Sequence, residues 1–351
     1  MTKEETWNRL LELKAVSGKM PLSSFSLSEI NLTKADLHDA NLSEADLSRA
    51  DLTEANLSGA NLVLANLKKA VLRGTNFERA NLMGADLSEA DLKEARLNEA
   101  NLSEADLSMA DCSGAAVRKA HFIRADLKGA DLSGADLGKS ILTEAILEGV
   151  NLDGADLRRA NLREAKLKGA KLRGADFRGA GLKGANLSRV DLNRSDFSGV
   201  DLSGAKFSHS NLHEAILEKT DLSGAELRGT DLGSANLIEA NLSGANMGST
   251  CLRGARLWYC NLARTVLDKA DLRGADLRGA NLRGADLTSA DLSEVNFSKA
   301  NLSGTDLTGA NLSRANLIEV DLSEANLAGA DLSGARLWYS NLSGAKIRTQ
   351  I

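Results

Sequence analysis

The residues with the most chemistry to offer in this chain are few and scattered. His209 and His213 have the His-x-x-x-His interval that on an α-helix would aim two imidazoles at one metal ion. Cys112, Cys251 and Cys260 are the only thiols, and no pair of them has metal-site or disulfide-framework spacing, so all three are expected to be reduced. Carboxylates are plentiful, 48 Asp and Glu against 43 Lys and Arg, but general acid or base catalysis needs a nucleophile, a base and an orienting group around one cleft. Whether any of these groups meet depends on the element that carries them.

That element is set by a five-residue period. From Leu22 to Ile347 every fifth residue is apolar without an insertion or deletion: 66 centres, of which 56 are Leu, six are Phe, and the rest are Cys112, Val117, Met247 and Ile347. Two residues before each centre stands a small residue, Ala in 47 of the 66, and between the two lies Asp or Asn in most pentads, as in Ala45-Asp46-Leu47. A helix is excluded, because a five-residue spacing drifts around a 3.6-residue turn and would spread the leucines over its whole surface; a flat strand is excluded because five is odd. A four-sided coil fits. Each side points its Ala and Leu inward and its Asp or Asn outward, and each corner needs a turn. Of the 31 glycines, 26 fall two residues after a centre, where a type II turn places a positive φ. The remaining corners carry Glu, Arg, Lys and others, so a mixture of turn types is expected.

These repeats resemble the pentapeptide-repeat family, whose pattern is Ala-(Asp/Asn)-Leu-x-x. The resemblance implies an all-β solenoid, a right-handed quadrilateral β-helix with four pentads per coil. With about 20 residues per coil the 66 pentads make about 16 coils. A narrow coil filled by stacked Leu and Ala leaves no room for a cofactor or substrate inside, and no cofactor is expected. In this fold a corner separates His209 from His213 and turns them different ways, and the carboxylates form solvated ladders, so the chain is not expected to be an enzyme.

Length alone would suggest two domains, but a solenoid needs no boundary because each coil contacts only its neighbours. The reading is a single repeat domain over 20–351 preceded by a cap over 1–19. Thr2 and Glu5 have capping-box spacing, Trp7, Leu10 and Leu11 give an apolar side and Gly18 a stop, which predicts a helix from 2 to about 16. Met20, Phe25 and Ile30, where later pentads have Ala, would make a bulky first coil under that cap. No secretory signal or transmembrane run is seen, and a cytoplasmic location is expected. The period continues through Ala345-Lys346-Ile347, so the last coil is expected to offer an edge for homodimerisation.

Because residues 20 apart stack, the sequence reads as columns. Asn41, Asn61, Asn81 and Asn101 form an amide ladder that avoids stacking like charges. The column two steps before the next small residue is more varied. It holds Arg118, Arg158 and Arg178, with Lys119, Lys139 and Arg159 in the adjoining column, as a candidate basic stripe. Further on it holds Ile238, Trp258, Arg278, Ile318 and Trp338, with Tyr259 and Tyr339 alongside. The segments Ala255-Arg256-Leu257-Trp258-Tyr259-Cys260-Asn261-Leu262 and Ala335-Arg336-Leu337-Trp338-Tyr339-Ser340-Asn341-Leu342 differ at one position, 260 against 340. In a chain with three Trp and two Tyr, such a face is the best candidate for a protein contact; the structural alternative is that the rings only cover neighbouring coils.

Net charge is −5 overall, but residues 112–200 carry 16 basic and 11 acidic side chains while 1–111 carry 12 and 19. The expected function is a rigid, non-enzymatic scaffold for a protein partner, with neither membrane nor nucleic acid as its target. The resemblance offers a second class, since some members of the family mimic acidic duplex DNA and bind DNA gyrase, a type II topoisomerase. A basic middle and Leu rather than Phe centres depart from that style, and the uninterrupted Leu-rich repeat is more similar to cyanobacterial members.

Overall fold

A computed structural model describes residues 22–347. The expected cap over 1–19 and the tail 348–351 lie outside the described residues. The chain forms two compact units, Met1–Ala175 and Asp176–Ile351, built on the same plan.

In each unit the outward residue of one pentad pairs in parallel with the outward residue 20 positions on, from Ser26 with Asp46 to Asn151 with Lys171 in the first, and from Asp176 with Asp196 to Asn326 with Lys346 in the second. These are single-residue bridges, and the described residues form no helix or longer strand. The reason is local: two residues of every five are spent on a corner, which leaves three extended ones per side. Each unit is therefore a solenoid of 20-residue coils whose sides touch one residue at a time.

Tracing backbone donors explains the repeat. In Ala55-Asn56-Leu57-Ser58-Gly59 the Ala55 amide closes the preceding turn onto the Leu52 carbonyl at 2.9 Å, Asn56 donates to Ala35 one coil back at 2.9 Å, and Leu57 and Gly59 donate to Asn76 and Glu78 one coil on at 2.7 and 2.8 Å. Only the Ser58 amide lacks a backbone acceptor, and it donates to Oδ1 of Asn56 at 3.2 Å. The second unit repeats this in Ala275-Asp276-Leu277-Arg278-Gly279, where the Arg278 amide donates to Oδ1 of Asp276 at 3.3 Å. An Asp or Asn before the centre is thus the acceptor for the one amide that coil stacking leaves over. Where that residue is Lys171, the Arg173 amide finds Oδ1 of Asp153 instead, at 2.9 Å. The amide ladder is present too, with Asn61 donating to Asn41 at 3.0 Å and Asn101 to Asn81 at 3.2 Å.

The corners correct an expectation from sequence. Turn types are not mixed: every residue two after a centre, from Ser24 to Gly344, has a positive φ, 53 to 63° for the non-glycines and 62 to 72° for the glycines. Left-handed backbone costs a side chain about 1 kcal/mol, yet Glu, Arg, Lys and Tyr accept it. In most corners the amide is held by a carbonyl of the next coil, as Glu54 is by Arg73 at 2.8 Å and Glu239 by Trp258 at 2.9 Å, and there stacking overrides local preference.

The interior is dry and close-packed, with Leu and Ala of successive coils essentially inaccessible. Near the start of the second unit Phe177 and Phe197 stack with ring centroids 4.5 Å apart, and Phe207 meets Phe197 edge-on at 6.3 Å. Where Ala is replaced by Thr or Ser, a core carbonyl takes the hydroxyl in most cases, as Thr220 donates to Phe197 and Thr250 to Leu227; the Ser140 hydroxyl is buried with no partner among the described residues. No helix among the described residues is long and apolar enough to cross a membrane.

Candidate protein-binding face

Residues singled out for catalytic or metal chemistry stay apart. His209 lies over Gly229 and His213 over Gly233, where an added Cβ would fall 2.7 and 2.8 Å from their respective Nδ1 atoms; these are different corners. No group of three or more His, Cys, Asp or Glu among the described residues could hold a metal ion. All three cysteines are unbridged. Burial pushes the Cys260 thiol up to about 12 and raises Cys112 further, so neither presents a thiolate.

The second unit brings the Trp-Tyr column together as the spacing implied. Glu239 donates its amide to the Trp258 carbonyl at 2.9 Å, Tyr259 to Arg278 at 3.0 Å, Lys299 to Ile318 at 3.0 Å and Glu319 to Trp338 at 2.9 Å. Ile238, Trp258, Arg278, Ile318 and Trp338 therefore stand in one file, with Tyr259 and Tyr339 at the adjoining corner. Their exposure divides them. Trp258 is half-buried between two guanidinium groups, Cζ of Arg278 at 4.4 Å and of Arg256 at 5.0 Å from the ring centre. Its Nε1, closed off from solvent, has no acceptor among the described residues. Arg278 is itself held by Asp276, Nε to Oδ1 at 2.9 Å and Nη2 to Oδ2 at 2.9 Å. Tyr259 rests on the bare backbone of Gly279, where a Cβ would meet ring carbons at 2.6 Å.

Trp338 and Tyr339 have no such cover. They are 68% and 89% exposed, Tyr259 itself being 68% exposed above its glycine, so the division lies between the two indoles, and no cation among the described residues stacks on Trp338. Around them the coil axis itself opens: Leu342 is 38% and Ile347 51% exposed, against complete burial of their counterparts Leu262 and Leu267. Large aromatic rings on an outer face are the side chains that most often anchor protein contacts.

The basic stripe is largely neutralised where it stands. In the first unit Arg118 pairs with Asp136 at 3.2 Å, Lys119 with Glu99 at 2.8 Å and Arg158 with Asp156 at 2.5 Å. Arg178, in the second unit, pairs with Asp176 at 2.5 Å and Asp196 at 3.5 Å. Lys139 and Arg159 form no ion pair among the described residues. Following the columns of Arg118 and Lys119 toward the N-terminus uncovers a feature that the sequence reading missed, a groove of about 670 Å³ whose floor is Ser58 and Gly59 and whose walls include His38, Asp39, Glu78 and Arg79. Its signal was a pair of small residues between two coils of long ones.

Matches to the family described as pentapeptide repeats (8 copies) overlap or abut from 22–54 through 310–348, leaving no gap between. None of the curated protein sequences matches the chain. Among solved structures it is similar to HetL, a pentapeptide repeat protein involved in heterocyst differentiation regulation from the cyanobacterium Nostoc sp. strain PCC 7120, at 37% identity over 60% of this chain and 89% of that one, TM-score 0.33. It is also similar to a pentapeptide repeat protein from the Arabidopsis thaliana thylakoid lumen, at 34% identity over 28% of this chain and 68% of that one, TM-score 0.27. QnrB1, a plasmid-mediated fluoroquinolone resistance protein, aligns at 21% identity over 64% of this chain and 90% of that one, TM-score 0.30. With its repeats matched over nearly the whole length, the chain belongs to the pentapeptide repeat family.

Proposed function

We propose that the protein is a non-enzymatic scaffold that binds a protein partner through its outer surface, with Trp338 and Tyr339 as the anchors. The observation that carries this is the Trp338 indole, 68% exposed and unstacked where Trp258 is half-buried under Arg278, in a chain that has only three Trp. Large aromatic side chains with few rotatable bonds lose little entropy on being covered, and truncating one such anchor costs an interface about 2 kcal/mol or more. Ile318 lies one coil below and extends the same file, whereas Trp258, already covered, serves the coil it lies on.

The proposal includes a cytoplasmic location, right-handed winding, about 16 coils in all and a helical cap over 1–19. It also includes a homodimer through the last coil as one form of the scaffold. No nucleic-acid or gyrase-mimicking role is assigned, because mimicry of duplex DNA needs continuous negative charge and residues 112–200 carry a net +5.

The test is affinity capture from the native host with the parent chain and with Trp338→Ser and Trp258→Ser as separate baits. The proposal expects a partner retained by the parent and by Trp258→Ser and lost by Trp338→Ser. A partner retained equally by all three baits contradicts it.

A further inference from the structure

One side of the first unit has a cavity at one corner and an apolar ridge at the next, with described coils continuing above and below both. In Ser58-Gly59-Ala60-Asn61-Leu62-Val63-Leu64 the first two residues floor the groove of about 670 Å³, and the last two form the ridge. On one wall of the groove the charges cancel, since Arg96 pairs with Glu78 at 2.8 Å and Glu99 is held by Lys119 at 2.8 Å and Arg79 at 3.1 Å. The facing wall holds Asp39, whose exposed carboxylate has no partner among the described residues. It leans over Gly59 into the space that a Cβ there would fill. The cavity therefore contains one uncompensated anion with both oxygens open.

At the ridge, Leu64 is 60% and Met83, one coil on, 41% exposed. Apart from the two Trp-Tyr pairs, Val63-Leu64 is the one corner whose two turn residues are both large and apolar. The side that joins groove to ridge is flat and uncharged, with Asn61 bonded to Asn41 at 3.0 Å and Asn101 to Asn81 at 3.2 Å. Its amides are all used within the rod: Ala60, Asn61 and Leu62 donate to Leu57, Ala40 and Asn81 at 3.1, 2.9 and 2.7 Å. A partner cannot add here as a strand, and side chains must carry the recognition. Three extended residues separate the two corners by about 10 Å. A polyproline II segment needs no backbone partners and sets side chains three positions apart on one face about 9 Å apart. We propose that this side docks such a segment of a partner protein, with an arginine and a large aliphatic residue three positions apart. The guanidinium enters the groove and forks onto Asp39, and the aliphatic group covers Leu64 and Met83. The surrounding charge suits a cationic partner, since residues 1–111 carry 19 acidic and 12 basic side chains. This surface is independent of the one at Trp338.

The probes are two fluorescein-labelled peptides, Pro-Arg-Pro-Pro-Leu-Pro and its reverse Pro-Leu-Pro-Pro-Arg-Pro, titrated against the full chain by fluorescence anisotropy, because a polyproline II segment reads alike in either direction. At least one is expected to bind. Citrulline in place of its arginine tests the charge with the protein unaltered and should weaken binding about fivefold. Asp39→Asn should weaken it by the same factor and should add nothing once citrulline is present. Leu64→Ser should also weaken it about fivefold, whereas Met109→Ser, at another exposed corner of the same unit, should leave it unchanged. All three replaced side chains are exposed, so unfolding midpoints should stay at the parent value.

No binding by either peptide would overturn the inference, as would an affinity that citrulline leaves unchanged. So would full binding by Asp39→Asn or by Leu64→Ser, or an equal loss in Met109→Ser.

Discussion

Residues 255–262 and 335–342 share seven of eight amino acids, and in the structure they are two different surfaces. Around Trp258 the apolar centre Leu257 is fully buried, the indole is stacked and the tyrosine is seated on a glycine. Around Trp338 the centre Leu337 is only half-buried and both rings face solvent. Local sequence is nearly constant between the two, so it cannot be the cause. What differs is the residue 20 positions on: Arg278 and Gly279 lie over the first pair, and no described coil lies over the second. In a solenoid a side chain's environment is set by the next coil at least as much as by its own pentad.

The largest effect expected from this contrast is in the core. Leu257→Asp places an unpaired charge on a dry axis and should cost several kcal/mol, whereas Leu337→Asp, on a partly open coil, should cost less than half as much. Urea midpoints of the two variants check this, and equal losses would mean that both coils are covered alike.

Next come the rings themselves. Trp258→Ser removes a half-buried indole and its two stacking guanidinium groups and should destabilise by about 1 to 2 kcal/mol. Trp338→Ser should change stability by less than about 0.5 kcal/mol. Thermal unfolding of the two single variants separates them, and the reverse order would break the comparison.

The corners sharpen it further. Gly279→Ala meets both a left-handed φ of 66° and the Tyr259 ring, so it should cost about 2 kcal/mol. Gly134→Ala has a φ of 64° but nothing within 4 Å and should cost about 1 kcal/mol. Removing the ring with Tyr259→Ser should bring the Gly279→Ala penalty down to the Gly134→Ala value, measurable as a double-mutant cycle.

The smallest effect is acid sensitivity. The Asp51 carboxyl is held below its ordinary 3.8 by hydrogen bonds from the Thr53 hydroxyl and amide, and Asp321 is held below it by the Ser323 amide and hydroxyl. A carboxyl whose folded pKa is depressed contributes stability that is complete above 3.8 and is lost as the pH falls through its lower folded value. Asp51→Asn keeps an acceptor for the Thr53 amide and removes the titration. Its stability measured from about pH 5 to about pH 2 should therefore fall less steeply than the parent's.

Most of the fold was legible because the period is unbroken: inward Leu and Ala, outward Asp and Asn and stacking every 20 residues all follow from it, and Asn61 bonded to Asn41 is that register made visible. The uniform corners were not. Propensity argues against Glu54 or Tyr259 at positive φ, and only the amide bonds to the next coil, a long-range feature, explain why they accept it. The role of the outward Asp and Asn was half legible, since their alternation implied exposure but not that they receive the one amide left over. In the candidate site, the sequence put Trp258 and Trp338 in one column and could not separate them, because covering depends on where the Arg278 guanidinium comes to rest. The groove over Ser58 and Gly59 was missed because its walls belong to two further coils and share no motif.

The most direct test is the solvent contact of the two indoles. In protein labelled with 5-fluorotryptophan, with signals assigned by single Trp→Phe variants, the fluorine shift between H2O and D2O reports exposure residue by residue. A large shift at Trp338 and a small one at Trp258 is the predicted result. Equal shifts at the two positions would contradict the claim that the following coil, rather than the local sequence, decides which indole is covered.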